Sequence, residues 1–457
     1  MKHEEEQKLS LYVHIPFCKR KCNYCDFLSF SAKKEEMAAY FDALKKEIRL
    51  SAIEFEGYGV RSIFFGGGTP SFPGADLICS TLSEIKKSFD VCDDAEISIE
   101  VNPQSAILEK LVKYRDAGFN RLSIGAQSMN DAELKSLGRL HDSRMFTETF
   151  ENARKAGFDN INVDVMSALP GQKIGSYMDT LEKIVSLHPE HISAYSLIVE
   201  EGTPFFDMDL DLPSEDEDRE MYHQTKRFLA ENGYHRYEIS NYARNVDSNA
   251  AEKDELHNGH INLADTDGAE KYECYHNKVY WRRGNYLGLG LGASSMAENV
   301  RWNNVRDMSA YLDALNSSER DSIKDNNAIN DFADIAAGNG ALNNPDPRRK
   351  YRENIEVLST QSQMEEFMFL GLRLVKGVST SEFKSLFGTD IRDIYGNVID
   401  KYIKMGLLEF NEVPKSNYTN TVEDTASAID SSSVEEYLRL TDSGLDVSNT
   451  VMADFLL

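Results

Sequence analysis

Three things are scarce in this sequence. Six cysteines among 457 residues are too few for a disulfide scaffold. Cations are outnumbered, 50 Lys and Arg against 76 Asp and Glu, which leaves a formal charge of −26. Such a field repels phosphate backbones and anionic lipid headgroups, so nucleic acid is excluded as a natural partner. Long apolar runs are missing too. The opening MKHEEEQKLSLYVHIPF has neither a basic n-region nor an apolar core of secretory length, and no uninterrupted apolar stretch reaches membrane-spanning length. These absences lead us to expect a soluble, cytoplasmic protein. The 41% hydrophobic content suffices for a sizeable core.

What is present is a rhythm. Short β-rich runs recur at 11–16, 62–67, 96–101, 121–127, 161–166 and 191–197. Helix-period stretches separate them, as in Met37, Phe41, Leu44 and Ile48, which stack one apolar stripe on a helix. Alternating β and α units with connections of this length imply parallel strands and right-handed crossovers. The expected fold is α/β, a partial (β/α)6 TIM-like barrel over 1–244 whose functional loops follow the strand C-termini. The rhythm fails at 245–273, which carries eight acidic residues against two basic ones and reads as an insert. A segment 274–315 then completes the core, 316–352 is an Asn/Ser-rich insert, and 353–457 reads as a C-terminal α+β, winged-helix-like domain, with a further irregular stretch from about 413 to 434. No Lys/Arg-rich recognition helix accompanies it.

Cys18, Cys22 and Cys25 form C-x3-C-x2-C directly after the first strand. A closed structural zinc site wants four ligands, and no fourth cysteine or suitably spaced histidine follows. A cubane [4Fe–4S] cluster on three thiolates leaves one iron open to a chelating small molecule, and the spacing favours it over zinc or free thiols. Cys79, Cys92 and Cys274 are scattered and read as ordinary buried thiols. His257 and His260 lie in the acidic insert, where a metal role has little support, and no CxxCH haem-attachment sequence occurs.

The cysteine motif in the first βα loop resembles the radical S-adenosylmethionine (SAM) superfamily. FFGGGTPS at 64–71 is similar to that superfamily's glycine-rich stretch, although a tight turn would explain three glycines equally well. LYVHIPFC, EVNP at 100–103, SIGAQS at 123–128, LGRLH at 137–141 and NVDV at 162–165 narrow the resemblance to the coproporphyrinogen dehydrogenase-like branch. The resemblance implies that Glu100 and Asp164 hold the hydroxyls of SAM, that Gln127 lies beside them, and that Arg139 pairs with the SAM carboxylate. It also brings Tyr12, Tyr24, Gly67, Gly68 and Thr69 to the cofactor. Each residue taken singly would read as a strand-end group in a surface ion pair or turn.

Two members of that branch compete: the oxygen-independent coproporphyrinogen III dehydrogenase and the HemW-type haem chaperone. The dehydrogenases resemble C-x3-C-x2-C-x-C with a long N-terminal extension. Here Phe27 takes the place of the extra cysteine, and 17 residues precede Cys18. HNKVYW at 276–281 matches the HN-x-x-YW pattern of the chaperones, and LTDSGLDVSN at 440–449 resembles their ending. The chaperone reading implies a [4Fe–4S] cluster, SAM and haem as cofactors, with His276 on the haem iron and Tyr280 and Trp281 near the macrocycle. It also implies a haem-acceptor protein as partner and leaves room for peripheral membrane contact. Without the family, His276 would read as a buried histidine hydrogen-bonded beside a strand. One departure stands out: DVMSALPG at 164–171 has Ser-Ala where the group more often has Tyr-Gly before Leu-Pro.

Overall fold

The computed structural model describes residues 7–246, 270–321, 350–414 and 434–457. His257, His260 and nearly all of the three irregular stretches lie outside the described residues. In chain order the first half runs β1 (Gln7–Ile15), α1 (Lys34–Glu54), β2 (Tyr58–Gly67), α2 (Ala75–Ser88), β3 (Asp90–Val101), α3 (Leu108–Ala117), β4 (Arg121–Gln127), α4 (Asp131–Ser136), α5 (Ser143–Lys155), β5 (Ile161–Ser167), α6 (Ile174–Val185), β6 (His191–Ser196) and α7 (Glu215–Glu231). A hairpin of β7 (Tyr234–Arg236) and β8 (Asn241–Arg244) follows. Then come α8 (Tyr275–Trp281), β9 (Tyr286–Leu289), β10 (Ser294–Ala297), β11 (Val300–Asn304), α9 (Met308–Asp321) and β12 (Arg352–Val357). The remainder comprises α10 (Thr360–Gly371), β13 (Val378–Ser379), α11 (Thr380–Phe387), α12 (Ile391–Lys404), β14 (Leu408–Pro414), β15 (Val434–Leu440), α13 (Asp442–Asp446) and α14 (Ser448–Ala453).

Two compact units emerge. The first holds the chain to Phe228 together with Cys274–Tyr280 and Gly284–Leu358; the second holds Leu229–Glu273, Trp281–Arg283 and Ser359–Leu457. In the first unit β1 to β6 lie side by side in sequence order, each pair parallel. This is the singly wound α/β sheet of a partial barrel. On the outer edge of β1 the late strand β9 adds in parallel, and β10, β11 and β12 extend the sheet antiparallel. Helix α1 buries Met37, Phe41, Leu44 and Ile48 as its periodicity requires. It also buries Glu47, which accepts from Gly290 N at 2.8 Å and Asn304 Nδ2 at 2.6 Å, and from the Tyr311 hydroxyl. That carboxyl fastens the first helix to the turn after β9, to β11 and to α9.

The second unit is α+β. Strands β13, β15 and β14 form an antiparallel sheet, in that order, over a core that includes Phe367, Phe383, Ile391, Tyr395, Ile399 and Leu438. The order of helix, short strand, two helices and a two-stranded wing is that of a winged helix. No helix among the described residues is long and apolar enough to cross a membrane.

One departure from the family pattern has a backbone consequence. Ala168 sits at φ +55° in the turn after β5, the left-handed region that favours glycine. The residue for which the group more often has glycine is therefore the one whose conformation suits glycine. Replacing Ala168 with Gly is expected to stabilise the first unit by about 0.5–1 kcal/mol, the relief of left-handed strain less the added entropy of an unfolded glycine. A urea titration checks it; a lower midpoint for Ala168→Gly would contradict it.

Candidate active site at the strand C-termini

The cysteines occupy the loop between β1 and α1. A parallel bridge between Phe17 and Phe30 closes this loop, with Cys18 N donating to Phe30 O and Phe30 N to Pro16 O. The far side of the loop rests on the end of α4: Asn23 donates through its backbone N to Leu137 O and through Nδ2 to Ser136 O, and Arg20 donates to Gly138 O. Cys18 is buried, with Sγ 3.3 Å from Thr69 Oγ1. Arg139 Nη1 donates to Cys22 Sγ at 3.8 Å. Burial pushes the Cys18 and Cys25 thiols up, and the Cys22 charge adds to this in each case. Among the described residues no three His, Cys, Asp or Glu side chains surround a point that a single metal ion could occupy. The three thiols share the one loop between β1 and α1.

The glycine run follows β2. Gly67 has φ +106° and donates its N–H to Glu100 Oε2 at 3.2 Å, and a Cβ there would lie 2.4 Å from the His14 ring. A Cβ on Gly68 would lie 2.8 Å from Ile15 O, while Gly68 N and Thr69 N donate to Ile15 O and Phe17 O. Glycine is required here for a positive φ at one position and for backbone contact with β1 at the next. The run thereby brings Thr69 to Cys18.

A cavity of about 230 Å³ opens among these strand ends, lined in part by Tyr12, Phe27, Phe64, Gly67, Glu100 and Asp164. Burial and then the Asp164 charge push Glu100 up to about 8. Asp164 is also pushed up by burial, though Asn162 Nδ2 at 2.7 Å, Ser123 Oγ at 3.3 Å and the charges of Arg121 and Arg139 oppose the rise. The site thus holds two carboxyls short of compensating donors, together with a guanidinium whose buried Arg139 Nε has no hydrogen-bond partner. A ligand offering hydroxyl donors and a carboxylate would satisfy all three. Gln127, at φ +67° on the end of β4, accepts from the Tyr195 hydroxyl at 3.1 Å. Tyr24 does not line the cavity; it packs beside Leu137, Met166, Leu169 and Phe205.

His276 lines the same cavity from α8 and is 2% exposed. Glu96 holds the start of this helix, accepting from Tyr275 N at 3.0 Å and His276 N at 3.1 Å. Both ring nitrogens are engaged, Nδ1 with Ser62 Oγ at 2.9 Å and Nε2 with the Tyr280 hydroxyl at 3.0 Å. Ser62 gives its own proton to Ser10, so Nδ1 is the donor and Nε2 carries the lone pair. Burial, followed by the Arg121 charge, lowers the imidazole to about 3 and keeps it neutral. The ring stacks on Phe64 at 5.2 Å, and Phe64 stacks on Tyr12 at 6.5 Å. Tyr280 lines the cavity, whereas Trp281 packs under Arg373 at 4.2 Å. Of the polar floor of Arg121, Ser123, Asn162 and Ser193, Ser123 and Asn162 open the SIGAQS and NVDV motifs, whereas Arg121 and Ser193 had no motif to announce them and only the alternation along β4 and β6 as a signal.

Glu100 gives a pH test. Its folded-state value of about 8 exceeds its ordinary 4.5, so the native state binds the extra proton between those limits and loses stability as pH rises through them. The facing groups are Asp164, Tyr12, Tyr195 and Tyr280, with the Gly67 N–H as donor. Glu100→Gln, neutral throughout, should match the parent near pH 4 and exceed it well above pH 8 by on the order of 5 kcal/mol in urea denaturation without ligand. Parallel stability curves for the two proteins would refute the shift.

Comparison with known proteins bears on this arrangement. The family model for the radical SAM superfamily matches residues 12–184, and that for the HemN C-terminal domain matches 358–413. The heme chaperone HemW of Lactococcus lactis is 32% identical over 452 residues, covering 98% of this chain and 97% of its own. That of Bacillus subtilis is 31% identical over 408 residues, covering 88% and 93%. Among solved structures, the coproporphyrinogen III oxidase HemN from Escherichia coli, described as a radical SAM enzyme, superposes with a TM-score of 0.70 over 99% of this chain and 90% of its own. At 23% identity that likeness speaks to the fold. A match of 31–32% identity that runs nearly end to end with the HemW chaperones, on a radical SAM core with a HemN-type C-terminal domain, places the chain in the HemW family of the radical SAM superfamily.

Proposed function

We propose that the chain is a haem chaperone that carries a [4Fe–4S] cluster on Cys18, Cys22 and Cys25, binds SAM at the strand ends, and passes haem to an acceptor protein. The observation that carries the reading is a linked polar set: two carboxyls that line one cavity, and a buried guanidinium, Arg139, whose charge reaches Asp164 and which donates to Cys22 of the three-thiol loop. Thiols raised by burial need positive charge before they ionise, and iron supplies it. When bound, such a cluster supplies a low-potential electron and one iron open to the amine and carboxylate of SAM.

The residues of the chain have separate tasks in this reading. Arg139 takes the carboxylate with Gln127 beside it, Glu100 and Asp164 accept from the ribose hydroxyls, and the side-chain-free backbone at Gly67, which lines the cavity, with Gly68 next to it, meets the methionyl end. Thr69 steadies Cys18, and Tyr12 walls the pocket. His276 is neutral with its lone pair on Nε2, the form in which imidazole ligates iron, and it reaches haem iron by exchanging the Tyr280 hydroxyl for the metal. Tyr280 then lies against the macrocycle.

Anaerobic reconstitution with iron and sulfide tests the cluster, and a haem titration tests the cargo. The parent should hold about four irons per chain, and the Cys18, Cys22 and Cys25 triple Ala variant close to none. Haem should bind one per chain, and His276→Ala should weaken it by about tenfold or more and shift the Soret band, with porphyrin contacts retaining some affinity. Unchanged iron in the triple variant would sink the cluster reading, an unchanged Soret band in His276→Ala would move the ligand elsewhere, and repeated turnover of coproporphyrinogen III would favour the dehydrogenase.

A further inference from the structure

Gln127 is held in a way that its neighbours in the strand are not. The pairing of β4 with β5 runs Gly125 to Asp164 and then Gln127 to Val165, so one extra residue is inserted at this point. Such a bulge re-aims the side chain that follows it. Gln127 also adopts φ +67°, costly for a residue with a Cβ and usually retained where the surroundings impose it. The Tyr195 hydroxyl, 3.1 Å from Oε1, is the side-chain partner that fixes the amide. The ring of Tyr195 is itself fixed by packing beside Met166 and Leu169.

With Oε1 taken, Nε2 is turned toward Gly125. A Cβ on Gly125 would lie 2.8 Å from Gln127 Nε2 and 3.1 Å from Arg139 Nη2, so the two nitrogens crowd the same space, which only a glycine leaves open. Arg139 is anchored there by Nη2 donating to Gly125 O at 2.7 Å, and its Nε is left buried without a hydrogen-bond partner. Two nitrogen donors side by side, one of them cationic, form a carboxylate clamp.

We propose that Tyr195 is a positioning residue for the carboxylate of the bound amino-acid moiety: its hydroxyl orients the Gln127 amide so that Nε2 joins Arg139 over Gly125. The inference rests on the reading above that SAM occupies this site. Tyr195 touches no ligand in this account and acts through Gln127 alone. It differs from a plain strand tie in being selective for the carboxylate.

The test uses the full chain reconstituted anaerobically, with dissociation constants measured by calorimetry for SAM and for decarboxylated SAM, which keeps the adenosyl group and the sulfonium. Tyr195→Phe retains the ring and its packing, and its melting temperature should stay near that of the parent. It should weaken SAM about tenfold, roughly 1.4 kcal/mol, and decarboxylated SAM less than about twofold. In a Gln127→Leu background the same change should add nothing for either ligand. Equal losses for both ligands, or a full effect of Tyr195→Phe without Gln127, would overturn the proposal and leave the SAM site standing. A parent that binds neither ligand would overturn the SAM reading and this inference with it.

Discussion

Glu100 and Asp164 put two carboxyls into one small cavity, and the rest of the site answers to that repulsion. Neither is matched by a full counter-charge: the Gly67 N–H faces one, while Asn162, Ser123 and two guanidiniums at longer range face the other. Burial of ionised acids without partners costs several kcal/mol, so the unliganded site lowers the cost by keeping a proton on Glu100 near neutrality. A cationic ligand with hydroxyl donors reverses that preference, because it favours the ionised acids and supplies the missing hydrogen bonds.

The second constraint is close backbone approach. The cluster loop and the glycine run meet because Gly68 lets β2 run on beside the end of β1, as the bonds from Gly68 N and Thr69 N to Ile15 O and Phe17 O record. Any side chain at 68 would strike the Ile15 carbonyl, and Thr69 would leave Cys18. The thiol loop is thus located by three contacts from different parts of the chain: Phe30, the end of α4, and Thr69. A loop clamped this way keeps its thiols placed before anything binds them, and pre-organisation of that kind lowers the entropy that binding must overcome.

Much of the fold was legible because parallel buried strands write themselves as apolar runs. Residues 121–127 and 161–166 read as strands and form β4 and β5, the latter one residue longer. The start of β3 was invisible, since Asp90–Asp94 is charged and exposed along much of its length and carries no apolar signal. The cysteine spacing and the glycine run were legible as chemistry, and the structure adds why the glycines are needed. Arg121 and Tyr195 were not legible: a lone arginine or tyrosine at a strand position has no periodic signature, and its importance appears only when β3 and β5 bring Glu96 and Asp164 to Arg121, and the end of β4 brings Gln127 to Tyr195. The sequence also could not reveal that HNKVYW is a short helix whose start is held by Glu96, some 180 residues earlier.

The HN-x-x-YW segment and the two acids share walls of one cavity, and this links the two halves of the chemistry. The His276 ring stacks on Phe64, Phe64 stacks on Tyr12, and the Tyr12 and Tyr280 phenols both feel the charge of Glu100. The tautomer of His276 is fixed by the Ser62 to Ser10 relay, so its lone pair points at Tyr280 and nowhere else. In the proposed reading, a metal held by Nε2 would free the Tyr280 hydroxyl, whose phenol lines the same cavity as Glu100 and feels its charge. A freed phenol there can donate to that carboxylate, and a donated hydrogen bond favours its ionised form. By linkage, a ligand on Glu100 and a metal on His276 would then be coupled through Tyr280, which bonds the imidazole and feels the charge of the acid.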